Sequence, residues 1–243
     1  MHTPTIGFVY PDHAAEDDYP RAAAVLDAAL PVAHIYGTDL HAIAELLDLG
    51  SPEKLRAGAS LLAPQQPDVV VWACTSGSFV YGPEGARRQV ESLAEAAGVP
   101  ASSTSFAFVE AARALDIERV AVVASYPEDI ARLFVDFLAD AGIAVVSMSS
   151  AGIDTAAEVG TLTPDQVLTL AVTNDHADAQ ALLIPDTAMH TLEVLPKLEA
   201  ALGKPVLTAN QVTIWEGLRL AGVTPYAPEF GTLFAERSQH VDH

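Results

Sequence analysis

Short apolar runs alternate with longer stretches of helical length from one end of the chain to the other. The runs cover residues 6–10, 32–36, 69–72, 120–123, 144–146 and 182–184, and each is followed by turn residues. Their hydrophobicity is continuous rather than alternating, the pattern of strands buried on both faces, as parallel strands are. Between them, segments such as 83–97, 128–141 and 191–202 carry helical patterns. The alternation predicts a doubly wound α/β fold of mostly parallel sheets flanked by helices.

The two halves of the chain echo each other. Val9-Tyr10-Pro11 and Ser125-Tyr126-Pro127 each close the first strand of a half and lead through acidic residues into a helix. Gly98-Val99-Pro100 precedes Val109-Glu110-Ala111-Ala112-Arg113, and Gly203-Lys204-Pro205 precedes Trp215-Glu216-Gly217-Leu218-Arg219 in the same order. This self-similarity predicts two pseudo-symmetric lobes. Residues 1–115 and 208–243 form lobe one, residues 116–207 form lobe two, and the strand ends converge on a cleft between them, where open α/β sheets bind ligands.

Composition narrows the partners. With 243 residues, half of them hydrophobic, the chain is long enough to bury a substantial core. It has 12 Lys and Arg against 32 Asp and Glu, a net charge of −20 that repels nucleic acid and anionic membranes. A small anionic substrate remains compatible, because helix starts and backbone N–H groups hold a carboxylate locally. The oligomeric state is left open. One cysteine rules out an intrachain disulfide and a multi-thiolate metal site. No signal peptide or membrane-length apolar run is present, so a cytoplasmic location is expected, and the polar 238–243 segment reads as a solvated tail.

That cysteine, Cys74, stands where a buried strand gives way to the polar turn Cys74-Thr75-Ser76-Gly77-Ser78. A strand-to-helix turn offers N–H groups that favour thiolate, so the expectation is a thiol pKa below the ordinary value of about 8.5. Thr75 and Ser76 supply hydroxyl donors for a carboxylate or an enediolate. The competing reading is a small buried hydrophobe beside ordinary helix caps. Asp186 ends the corresponding strand of the second half, followed by Thr187. It is either a second acid–base group or the cap of the helix after it, and His190, one helical turn on, either orients it or packs. Tyr10 and Pro11 end the first strand, and Tyr126 ends its counterpart; both tyrosines are candidate oxyanion donors or packing residues. Asp12, His13, Glu16, Asp17 and Asp18 include metal-ligand residue types, but the run reads as a solvated loop and helix start. No glycine-rich phosphate loop follows the first strand and no Gly-x-Ser-x-Gly elbow occurs, so a nucleotide cofactor and the α/β-hydrolase class are both disfavoured.

Several of these segments together resemble one family. Thr5-Ile6-Gly7-Phe8-Val9-Tyr10-Pro11, Cys74-Thr75-Ser76-Gly77-Ser78-Phe79, Ala124-Ser125-Tyr126, Leu182-Leu183-Ile184-Pro185-Asp186 and Trp215-Glu216-Gly217-Leu218-Arg219-Leu220-Ala221-Gly222 are similar in register to the arylmalonate decarboxylase and maleate cis-trans isomerase family. That family lies within the aspartate/glutamate racemase superfamily. The resemblance implies an inter-lobe active site with no metal or organic cofactor. It also implies that Cys74 holds the first of two positions which racemases and maleate isomerases fill with cysteine. Asp186 holds the second. Arylmalonate decarboxylases have glycine at the first position and cysteine at the second, the reverse of this chain. Thr75, Ser76 and Tyr126 match their enediolate-binding positions, whereas the loop Asp12-His13-Ala14-Ala15 lacks the asparagine of maleate isomerases.

Decarboxylation of a malonate-type acid needs charge stabilisation and one proton donor, so a single cysteine suffices. Cis-trans isomerisation needs a thiolate that adds and leaves, and racemisation needs a group on each face of the carbon. The expected order is decarboxylase first, isomerase second and racemase third, with a non-catalytic carboxylate binder as the reading from a different class.

Overall fold

The structure is a computed structural model that describes residues 3–11, 14–37 and 39–235. Asp12, His13 and the 238–243 tail lie outside the described residues. Among the described residues, eight strands form two sheets. In chain order they are β1 (Ile6–Pro11), β2 (Val32–Ile35), β3 (Val69–Trp72), β4 (Ala101–Ser103), β5 (Arg119–Ala124), β6 (Ala144–Ser150), β7 (Ala181–Ile184) and β8 (Val206–Thr208). The first sheet has the order β2-β1-β3-β4 and the second β6-β5-β7-β8. Every ladder in both is parallel. The doubly wound architecture and the repeated topology agree with the sequence pattern. Among the described residues no helix is long and apolar enough to cross a membrane.

Side-chain parity explains why the central strands read as unbroken apolar runs. Ile6, Phe8 and Tyr10 of β1, Val69 and Val71 of β3, Val120 and Val122 of β5, and Ala181 and Leu183 of β7 all enter one core that spans both sheets. The alternate residues face outward into separate cores. Val9, Val70 and Trp72 join one, and Ala121, Val123, Leu182 and Ile184 join the other. Both faces of each sheet are therefore dry, and both must be apolar.

Two strands escaped the sequence reading. β4 is Ala-Ser-Ser and β8 is Val-Leu-Thr, three residues each, too short and too polar for an apolar-run search. The repeated Gly-x-Pro motifs are the turns that feed them. Gly98 and Gly203 cap the preceding helices at φ +71° and +66°, a conformation that favours glycine. The helix expected over 191–202 starts later, at Leu195–Leu202, with proline in its first turn.

The helices that follow β4 and β8, Thr104–Ala114 and Ala209–Leu220, pack against each other, and the second also lies on β1, β3 and β4 of the first sheet. Gly217 permits that approach: a Cβ there would lie 2.4 Å from Ile6 Cγ2. Gly217→Ala is expected to overpack this contact and lower stability by about 1–3 kcal/mol in urea unfolding. An unchanged midpoint would mean that β1 yields to the methyl group.

Candidate active site

The same parity places the two candidate groups. Cys74 lies two residues beyond the end of β3, in register with Val70 and Trp72, and Asp186 lies two residues beyond β7, in register with Leu182 and Ile184. They meet at a narrow cavity of about 40 Å³. Tyr10, Pro11, Cys74, Ser76, Asp186 and Thr187 line it. Thr75 and Tyr126 are not in the lining. The Tyr126 hydroxyl lies beside the hydroxyls of both Thr75 and Ser76, and it donates to the Pro185 carbonyl at 2.6 Å. Thr75 Oγ1 is buried and makes no hydrogen bond. The cavity also takes in residues that the sequence did not single out, above all His41, together with Leu40, Leu46 and Leu49. A larger cleft of about 420 Å³ lies elsewhere, between Trp215, Arg219, Arg113 and Glu110, but its charges are already paired: Arg113 with Glu110 at 2.7 Å and Arg219 with Glu216 at 2.7 Å.

Cys74 is 4% exposed. The Gly77 N–H donates to Sγ at 3.3 Å, and Ser76 Oγ lies 3.8 Å from it. The absence of a side chain at Gly77 allows this approach, since a Cβ would lie 2.9 Å from Trp72 and 3.1 Å from the sulfur. Buried polar groups pin the turn from behind. Ser105 donates to the Thr75 carbonyl at 2.9 Å, and Gln89 donates to the Gly77 carbonyl at 2.9 Å. The expected thiolate-favouring donors are thus in place, but the expected lowering of the pKa is reversed. Burial pushes the thiol up to about 12; Gly77 and Ser76 oppose the shift, and the charge of Asp186 adds to it. At neutral pH this sulfur carries its proton.

Asp186 accepts the Ala188 N–H on Oδ1 at 2.9 Å and the Ser125 hydroxyl on Oδ2. It caps its own turn and lines the cavity, but the helix it was expected to cap does not begin there, the next one starting at Leu195. His190 does not orient it, being held instead by Asp17 at 2.9 Å. The neighbouring histidine is His41, whose Nε2 lies 3.9 Å from Asp186 Oδ2. Its Nδ1 faces the Ile153 carbonyl at 3.0 Å, an acceptor, so the proton belongs on Nδ1. His41 reaches the site because the chain around Leu40 pairs antiparallel with the chain around Thr155, the His41 N–H meeting the Asp154 carbonyl at 2.7 Å.

The acidic run expected to be solvated is only partly so. Glu16 pairs with His34 at 2.6 Å, and Asp18 is 2% exposed. Asp18 lies in a hydrogen-bonded cluster behind the cavity. Asn210 Nδ2 donates to Asp18 Oδ2 at 3.0 Å and to the Thr187 carbonyl at 3.1 Å, and the Tyr10 hydroxyl donates to the same carbonyl at 2.7 Å. Burial raises the Asp18 pKa to about 6; Asn210 opposes the rise, Asp17 adds to it, and His190 and the Thr191 N–H oppose it. Burial also lifts Tyr10 and Tyr126 above the ordinary phenol range, so both remain proton donors.

Two outcomes follow from these protonation states. Alkylation of Cys74 by iodoacetamide should be slow at neutral pH and should rise about tenfold per pH unit through pH 10, because only the thiolate reacts; a plateau below pH 9 would contradict the burial argument. Asp18 is an acid whose folded pKa lies above its ordinary value of 3.8. The folded state binds the proton more readily, so stability falls as pH rises from about 4 to about 6, and the cost is complete above that window. Asp18→Asn should therefore stabilise the protein by about 1–3 kcal/mol at pH 7.5 and hardly at all at pH 4, read by urea unfolding at both values.

Known proteins share this architecture. The arylmalonate decarboxylase family model matches residues 36–234. The arylmalonate decarboxylase of Bordetella bronchiseptica is 32% identical over 249 residues, covering 96% of this chain and 98% of the relative. The maleate isomerase of Geobacillus stearothermophilus is 26% identical over 180 residues, 72% of each chain. Among solved structures, a liganded arylmalonate decarboxylase variant with one glycine replaced by cysteine and one cysteine by serine superposes with a TM-score of 0.87 at 28% identity, covering 97% of this chain and all of that one. A match of this extent, in sequence and in fold, makes the chain an enzyme that belongs to the arylmalonate decarboxylase and maleate isomerase family.

Proposed function

We propose that this enzyme is a cofactor-free decarboxylase of a small malonate-type acid, working through an enediolate that Cys74 protonates. The observation that carries the reading is the burial of the sulfur at the cavity wall. Cys74 is the one cysteine of the sequence, it lines the cavity, and burial keeps its proton on. Across the cavity, both oxygens of Asp186 already accept hydrogen bonds, which suits a charge-bearing group better than a donor to carbon.

The retained carboxylate of the substrate lies against the hydroxyl of Ser76, which lines the cavity. The departing carboxylate lies toward Leu40, Leu46 and Leu49 and near Asp186. An apolar wall and a neighbouring negative charge both raise the energy of an anion there, and conversion to neutral carbon dioxide relieves it. The bonding pair moves onto the retained carboxylate as an enediolate, and the Cys74 S–H gives its proton to carbon. The Gly77 N–H and the Ser76 hydroxyl then stabilise the thiolate until it is reprotonated from solvent. The liganded decarboxylase variant, with a cysteine added and another removed, supports a site that still takes a ligand with its thiol relocated.

A second reading is a maleate-type cis-trans isomerase. It is favoured by His41, which with Asp186 forms a pair able to hold a proton across from the sulfur. Proton NMR in heavy water distinguishes the two with one panel of alkylmalonates, arylmalonates, maleate, aspartate and glutamate. The expected outcome is a malonate converted to a monodeuterated monoacid, with Cys74→Ala slowing it about 10²–10⁴-fold. Fumarate from maleate would establish the isomerase, deuteration at the amino acid α-carbon a racemase, and no turnover of any member a carboxylate binder.

A further inference from the structure

The peptide that joins Thr187 to Ala188 is held at both ends by buried groups. Its carbonyl accepts from the Tyr10 hydroxyl at 2.7 Å and from Asn210 Nδ2 at 3.1 Å. Its N–H donates to Asp186 Oδ1 at 2.9 Å. A peptide unit is planar, so fixing the direction of its carbonyl fixes the direction of its N–H. Asn210 cannot turn freely, because the amide that holds the carbonyl also holds Asp18 at 3.0 Å, and its oxygen accepts from Tyr19 at 3.3 Å. We propose that Asp18 and Asn210 are positioning residues that set the Asp186 carboxylate in the cavity through the Thr187–Ala188 peptide.

This assignment rests on the proposed role of Asp186 in the cavity. Two features separate the cluster from ordinary packing. Asn210 is completely buried 192 residues away from Asp18, and one amide group bridges that carboxylate to the turn lining the cavity. Asp18 is also a buried carboxylate whose charge costs stability at neutral pH, so its contact with Asn210 is not explained as a gain in stability. The groups facing it are Asp17 and Tyr19 beside it, Tyr10 at the end of β1, His190 and the Thr191 N–H on the loop after Asp186, and Asn210 on the Ala209–Leu220 helix. Among the described residues, no lysine or arginine is one of them. Protonation of Asp18, near pH 6, removes its charge and turns one of its two acceptor oxygens into a donor. The charge-assisted hold on the Asn210 amide then weakens, and the Thr187–Ala188 peptide is left on the Tyr10 hydroxyl with a looser grip from Asn210.

The test is carbon-detected NMR of the full chain labelled at aspartate carboxyls, titrated from pH 4.5 to 8 and assigned with Asp18→Asn and Asp186→Asn. The Asp186 resonance should show an inflection at the Asp18 midpoint in the unmodified protein. That inflection should vanish in Asp18→Asn, and in Asn210→Ala it should vanish while Asp18 still titrates. A flat Asp186 resonance in the unmodified protein, or an inflection that survives in either variant, overturns the proposal. Asp18→Asn is close in shape to the original and relieves a buried charge, so it keeps the test decisive if Asn210→Ala does not fold. Where a malonate is turned over, kcat should fall below pH 6 by up to about 100-fold with KM little changed, and Asp18→Asn should remove that acidic limb. If no malonate is turned over, the decarboxylase reading fails while the NMR titration still decides the coupling.

Discussion

Taking a sulfhydryl out of water is the constraint on which the site depends. Burial keeps the proton on Cys74, and the same dry surroundings make any carboxylate in the cavity costly to hold as an anion. One physical cause would therefore prepare both halves of the proposed decarboxylation, the loss of a charged group and the delivery of a proton to carbon. A reaction that begins with a free thiolate works against that cause. The Gly77 N–H and Ser76 are too weak to overturn it in the resting protein, but they act on the charge that appears once the proton has left.

The fold delivers this arrangement through parity and repetition. Successive side chains on a strand alternate faces, so a group two residues beyond β3 or β7 leaves the sheet on the same side as Trp72 or Ile184. Repeating the topology puts two such positions at one cavity. This much was legible, because buried parallel strands write themselves as apolar runs and each run ended in a conspicuous polar residue. The edge strands β4 and β8 were not, being three residues long and partly polar, although the Gly-x-Pro turns before them stood out as a repeat.

What the sequence hid is what depends on distant partners. His41 arrives beside Asp186 because the chain near Leu40 pairs with the chain near Thr155, and no periodicity announces a pairing over such a separation. Asp18 reads as one member of a solvated acidic run until Asn210 is brought beside it by the helix that crosses back onto the first sheet. The thiol of Cys74 shows the same limit in its sharpest form. The donors that lower its pKa are local and visible in Ser76 and Gly77, whereas the burial that raises it belongs to the whole fold.

Exchanging a thiol for a carboxylate at the second position changes more than a proton donor. Asp186 accepts hydrogen bonds where a thiol would be neutral and weakly bonding, and a second buried carboxylate, Asp18, stands behind its turn. In the proposed decarboxylation, a dianionic substrate would meet a site whose carboxylate at position 186 opposes one of its carboxylates and whose Ser76 hydroxyl favours the other. On that proposal, binding energy gained at the retained group would be spent against repulsion at the departing one, and that repulsion would disappear as carbon dioxide forms. Interactions of this kind lower the barrier without tightening the ground-state complex. Under the proposed reaction, the carboxylate at position 186 is thus an asymmetry that would give the two ends of one small acid different fates.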